Sequence, residues 1–105
     1  MNLPIPTHGR PATPGDIILH DFIEPLGITQ LEFAKHIGMT PARVNQIIKG
    51  KRSVTPDAAL RLERVLGPSA GFWLNLQHIV DLYDTAHSEA AKTIKKLKPI
   101  TKAAA

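Results

Sequence analysis

Apolar residues along the chain recur every three or four positions and seldom alternate, a period that belongs to helices and not to strands. The pattern divides into five segments opened at Thr13, Thr29, Thr40, Thr55 and Ser69, residue types whose side-chain oxygen caps a first helical turn. Pro14, Pro41 and Pro56 follow three of these caps, at the first helical position where a missing N–H costs nothing. Gly27, Gly38, Gly50 and Gly67 close the first four segments, and the fifth runs to about Asp84. The buried faces expected from this spacing are Ile18, Leu19, Phe22, Ile23 and Leu26, then Leu31, Phe33, Ala34 and Ile37, then Val44, Ile47 and Ile48, and then Ala58, Ala59, Leu62, Val65 and Leu66.

The second segment begins "TQLE", a capping box in which Thr29 and Glu32 satisfy each other's first-turn amides. Only Gly38 and Met39 separate it from the third, which forces a sharp angle between the two helices. The fifth segment differs from the rest. Its residues Phe72, Trp73, Leu76, Ile79, Val80 and Tyr83, with Leu82, cover about half of a helical wheel, wider than one core contact requires. That width predicts a homodimer interface built from these residues, against the simpler reading that Phe72 and Trp73 fill the core beneath the first and fourth helices.

Charge sharpens the third segment. The chain of 105 residues carries a net charge of +4, and residues 38–52, "GMTPARVNQIIKGKR", hold four cations and no acid. The stretches on either side, 1–37 and 53–85, are each net negative, and residues 86–105 form a second basic patch. A basic island on an acidic body suits a localised polyanion contact. On the wheel, Val44, Ile47 and Ile48 turn inward while Ala42, Arg43, Asn45, Gln46 and Lys49 turn outward. Asn, Gln and Arg are the side chains that read base edges bidentately, and a small residue near the helix start lets the backbone approach a groove floor. The second and third segments therefore read as a helix-turn-helix whose second member enters a DNA major groove, with Thr29 and Gln30 at a phosphate-facing helix start and Lys49, Lys51 and Arg52 beside the groove.

The length suits a single domain, and 43% hydrophobic residues suffice for one core. No cysteine is present, so thiolate metal sites and disulfides are excluded. His8, His20, His36, His78 and His87 are scattered without ligand spacing, and neither a Gly-rich phosphate loop nor a nucleophile motif occurs. No metal, cofactor or enzymatic activity is expected, and the lack of a long apolar run or signal sequence predicts a soluble, cytoplasmic protein with no membrane partner. The expected organisation is an extended lead-in over residues 1–13, a DNA-binding and dimerisation domain over 14–85, and a basic tail over 86–105.

Residues 30–52, "QLEFAKHIGMTPARVNQIIKGKR", resemble the helix-turn-helix of the Cro and XRE repressor group, with Ala34, Gly38, Val44 and Ile47 at its small, turn and core positions. Residues 14–82 are similar to the HigA antitoxin family, also called virulence-associated protein I, above all in "PGDIILHDFIEPLG" and "FWLNLQ"; Asp16 stands where that family often has Glu. The resemblance implies an all-α, five-helix bundle of the lambda-repressor type with a possible short C-terminal helical tail. It also implies a homodimer that neutralises a HigB-like RNA-cleaving toxin by direct binding and represses its own operon at an inverted-repeat operator. Carried over by motif position, Ala42, Arg43 and Gln46 face bases, with Asn45 a further reader, and Thr29, Gln30, Lys49, Lys51 and Arg52 meet phosphates. Two rivals stand beside it: a stand-alone Cro/XRE-type repressor without a toxin, and a protein-interaction module whose basic face meets an acidic partner.

Overall fold

The computed structural model describes residues 9–101, and within them the chain is wholly helical. Helix α1 is built of three continuous stretches, Pro14–Ile17, Ile18–Ile23 and Glu24–Leu26; α2 spans Gln30–Ile37, α3 Pro41–Ile48, α4 Pro56–Leu66, α5 Ala70–Ala86 and α6 Glu89–Ile94. The five expected segments and the short tail helix are thus present. Thr29 and Glu32 form the anticipated capping box, with the Glu32 amide donating to Thr29 Oγ1 at 3.0 Å and the Thr29 amide to Glu32 Oε1 at 3.1 Å. Thr13 and Asp16 make the same reciprocal pair at α1, both bonds 3.0 Å, so the shorter carboxylate still closes the box. Thr40, Thr55 and Ser69 cap α3, α4 and α5.

Two apolar positions depart from the expected faces. Leu26 is 62% exposed and Leu31 is half in solvent. Leu26 is the last residue of α1 before Gly27, and Leu31 lies in the first turn of α2, so both stand at a helix end; the middle of α1, Ile18–Ile23, is wound as a π-helix in which the Glu24 amide donates to the Leu19 carbonyl five residues back. Ile18 and Ile23, five apart, are consequently both buried.

The core gathers Ile18, Ile23, Phe33, Ala34, Ile37, Val44, Ile47, Val54, Ala58, Ala59, Leu62 and Trp73. Trp73 has no exposed surface; its indole N–H donates to the Pro68 carbonyl at 3.1 Å, and Phe72 meets its ring edge-on at 5.1 Å between centroids. Gly15 sets how closely α1 approaches α3. A Cβ there would collide with the Ile47 carbonyl oxygen and stand 2.6 Å from that of Ile48, so only glycine lets the first turn of α1 rest on the last turn of α3.

The expected lead-in lies outside the described residues as far as residue 8. From Gly9 onward it is fastened to the domain: the Arg10 guanidinium forks onto the Asp84 carboxylate with two bonds of 2.9 Å. That hydrogen bond and the paired charge raise the Arg10 pKa and hold Asp84 below its ordinary value. At the other end α6 buries Ala91 and leaves Ile94, Leu97 and Ile100 in solvent, while residues 102–105 of the basic tail lie outside the described residues. No helix among the described residues is long and apolar enough to cross a membrane.

Candidate nucleic-acid interface

α2 ends at Gly38, whose left-handed backbone (φ 73°) turns the chain into the two-residue link before α3. Arg61 of α4 secures this turn, donating through Nη1 to the carbonyls of Ile37 and Gly38, both at 3.1 Å, and through Nε to Asp57 Oδ1 at 2.9 Å. A cation at the C-terminal end of α2 also complements the helix dipole. α3 is thereby presented at a defined angle, with Val44, Ile47 and Ile48 buried beneath it.

The outward residues of α3 fall into two groups. Ala42, Gln46 and Lys49 stand in solvent. Arg43 and Asn45 are half-buried and already engaged. Arg43 Nη2 donates to Thr55 Oγ1 at 3.1 Å, and Nη1 lies 3.7 Å from Asp57 Oδ1, leaving the side chain 25% exposed and folded back towards α4. Asn45 Nδ2 donates to Gln30 Oε1 at 3.1 Å, a brace across the turn between α2 and α3. The structure therefore brings Gln46 and Ala42 to the centre of the presented face and places Arg43 and Asn45 at its edges.

The residues expected to face phosphates separate in the same way. Lys49, Lys51 and Arg52 are exposed, and among the described residues none of the three makes an ion pair. Thr29 donates its amide to Glu32 and accepts the Glu32 amide on its hydroxyl oxygen, and Gln30 Oε1 accepts from Asn45, so at this end the free donors are the Gln30 and Leu31 amides, the Thr29 hydroxyl hydrogen and the Gln30 amide nitrogen. After α3 the chain folds over the Gln46 carbonyl, which accepts from the amides of Lys51 at 2.8 Å and Arg52 at 3.2 Å.

The dimer residues expected on α5 are divided by burial. Trp73 and Val80 are buried inside the protomer, which corrects their assignment to an interface: Trp73 is spent on the central core, and Val80 keeps only 3% of its surface exposed. Phe72, at 40% exposed, Leu82, and the half-buried Ile79 and Tyr83 remain on the open side, while the half-buried Leu76 also packs against the core.

Sequence reasoning missed Gly15, Asp57, Arg61 and Gln77. Asp57 and Arg61 carried a signal in their i,i+4 spacing on α4. Gly15 carried another, because a glycine inside a first helical turn weakens the helix unless a close approach requires it.

The helix-turn-helix family HTH_3 matches residues 19–73. The chain is 39% identical over 93 residues to antitoxin HigA-1 of Vibrio cholerae serotype O1, covering 87% of this chain and 88% of that protein. Among solved structures, an addiction module antidote protein of the HigA family from Coxiella burnetii superposes with a TM-score of 0.78 at 34% identity, over 88% of this chain and all of that one. The Pseudomonas aeruginosa antitoxin HigA, solved with the higBA promoter, superposes with a TM-score of 0.80 at 28% identity, again over 88% and 100% of the two chains.

Proposed function

This chain belongs to the HigA family of helix-turn-helix antitoxins, and from that membership we propose that it represses its own operon by sequence-specific DNA binding and neutralises a HigB-like RNA-cleaving toxin by direct contact. The observation that carries the DNA reading is the exposed Gln46 on α3, flanked by Lys49, Lys51 and Arg52, none of which makes an ion pair among the described residues. Gln46 reads a base edge in the major groove and Ala42 allows the close approach. Arg43 reaches a second base by exchanging its contacts with Thr55 and Asp57 for the DNA, while Asn45 reads at the α2 edge of the helix or holds Gln30 in place. Lys49, Lys51 and Arg52, with Thr29 and Gln30 across the groove, take the phosphates.

A symmetric pair joined through Phe72, Leu76, Ile79, Leu82 and Tyr83 presents two copies of α3 to successive major grooves about 34 Å apart, which requires an inverted-repeat operator. The protein acts in the cytoplasm, where operon and toxin meet. The test is co-purification of the tagged chain from its native cells, followed by footprinting of the purified protein on the DNA upstream of its gene. A small toxin recovered in stoichiometric amount, with a two-fold symmetric footprint, is the expected result. A footprint without a protein partner removes the antitoxin half of the reading, and a partner without a footprint removes the repressor half.

A further inference from the structure

The segment "FWLNLQ" in α5 contains one residue whose contacts neither the core nor the open face of that helix explains. Gln77 Oε1 accepts from the Val54 amide at 2.9 Å, 23 positions away, and Gln77 Nε2 donates to Asp81 Oδ1 at 3.0 Å. Its orientation is forced by chemistry, because an amide N–H can only donate and an ionised carboxylate can only accept. Val54 itself is buried. The three residues before it, Lys51, Arg52 and Ser53, are therefore pinned at both ends, to the Gln46 carbonyl at their start and through Val54 to Gln77 at their finish. Lys51, Arg52 and Ser53 also line one cleft with Gln77, Asp81 and Asp84.

We propose that Gln77 is a positioning residue for DNA binding, holding the loop that carries Lys51 and Arg52 in register with Gln46 while its amide nitrogen keeps Asp81 occupied. The proposal rests on the DNA-binding role argued above. Without Gln77 the loop loses its distal anchor, and Asp81 is left free across the same cleft from two cations intended for phosphate.

The experiment measures affinity against salt concentration, on a short random-sequence duplex and on the duplex upstream of the gene, for the full chain and three variants. Gln77→Ala is expected to weaken binding to both about fivefold to tenfold and to lower the slope of log affinity against log salt by about one to two units, the loss of one or two phosphate contacts. In the double variant Gln77→Glu with Asp81→Asn, the carboxylate introduced at position 77 still accepts from the Val54 amide and receives a donor from the amide introduced at position 81, so slope and affinity return. Val65→Ala, a half-buried change in α4, lowers thermal stability without touching the loop and keeps the slope. An unchanged slope in Gln77→Ala, no recovery in the double variant, or an equal fall in Val65→Ala overturns the assignment of Gln77. No DNA binding by the unmodified chain overturns the DNA-binding role as well.

Discussion

Around α3, the half-buried polar side chains have partners within the chain: Arg43 on Thr55 and Asp57, Asn45 on Gln30, and Gln77 on Val54 and Asp81. No buried side-chain nitrogen or oxygen is left without one among the described residues. At the junction of α5 and α6 the opposite holds. Leu82 and Ile94 line an apolar groove with Thr85, Ala86 and Ala91, and Leu97 is 71% exposed just beyond it. The first region is finished by contacts within one protomer; the second leaves apolar surface uncovered among the described residues. The difference separates side chains whose demands the fold has already met from apolar surface that it has not used.

The largest effect should come from Trp73→Ala, which empties the centre of the finished region and is expected to cost about 3–5 kcal/mol in denaturant unfolding. Gly15→Ala should cost about 3 kcal/mol, because the added methyl meets backbone carbonyls of α3 that cannot step aside. A cost under about 1 kcal/mol there would mean that α1 does not rest on α3 as described. Next, Gln46→Ala should weaken operator binding by about 1–3 kcal/mol and leave random-sequence affinity nearly unchanged; a uniform loss on every duplex removes its base-reading role. On the open side, Leu82→Ser should shift unfolding of the dilute protein by no more than about 0.5 kcal/mol, yet raise the dimer dissociation constant in sedimentation. A large loss of monomer stability would place Leu82 with the core instead.

The smallest effect concerns Arg10 and Asp84, an exposed pair worth about 0.5 kcal/mol. Because Arg10 holds the Asp84 carboxyl below its ordinary value, the contribution is present at neutral pH and is lost as pH falls through the lowered folded-state value. Arg10→Ala should therefore narrow its stability difference from the unmodified chain on acidification; a difference that is constant with pH would show the pair to be electrostatically silent.

Legibility followed the range of the interactions. The caps at Thr13, Thr29, Thr40, Thr55 and Ser69 are local contacts between neighbours in sequence, and the structure repeats them as read. The exposure of Gln46 follows from the period of α3, and that of Lys49, Lys51 and Arg52, at and beyond its end, from charge that stays in solvent. Periodicity could not show which outward side chains fold back onto a neighbour: Arg43 meets Asp57 and Asn45 meets Gln30 only because tertiary packing brings α4 and α2 alongside. Trp73 belongs to the same class. A wide apolar arc signals surplus surface, and only the packed fold says which part of it is already spent.

The π-wound stretch of α1 has a further consequence for how the length of this chain can vary. Ile18 and Ile23 share a buried side although five positions apart, about 140° on a regular α-helix; removing one residue between them would set them four apart, about 40°. Asp21 is exposed and lies inside the stretch. A gene lacking its codon should encode a protein whose α1 relaxes to ordinary winding, with Gly15 still seated on α3 and an amide-exchange pattern close to that of the parent. The same one-residue loss in α3, which has no slack to absorb it, should leave no folded product.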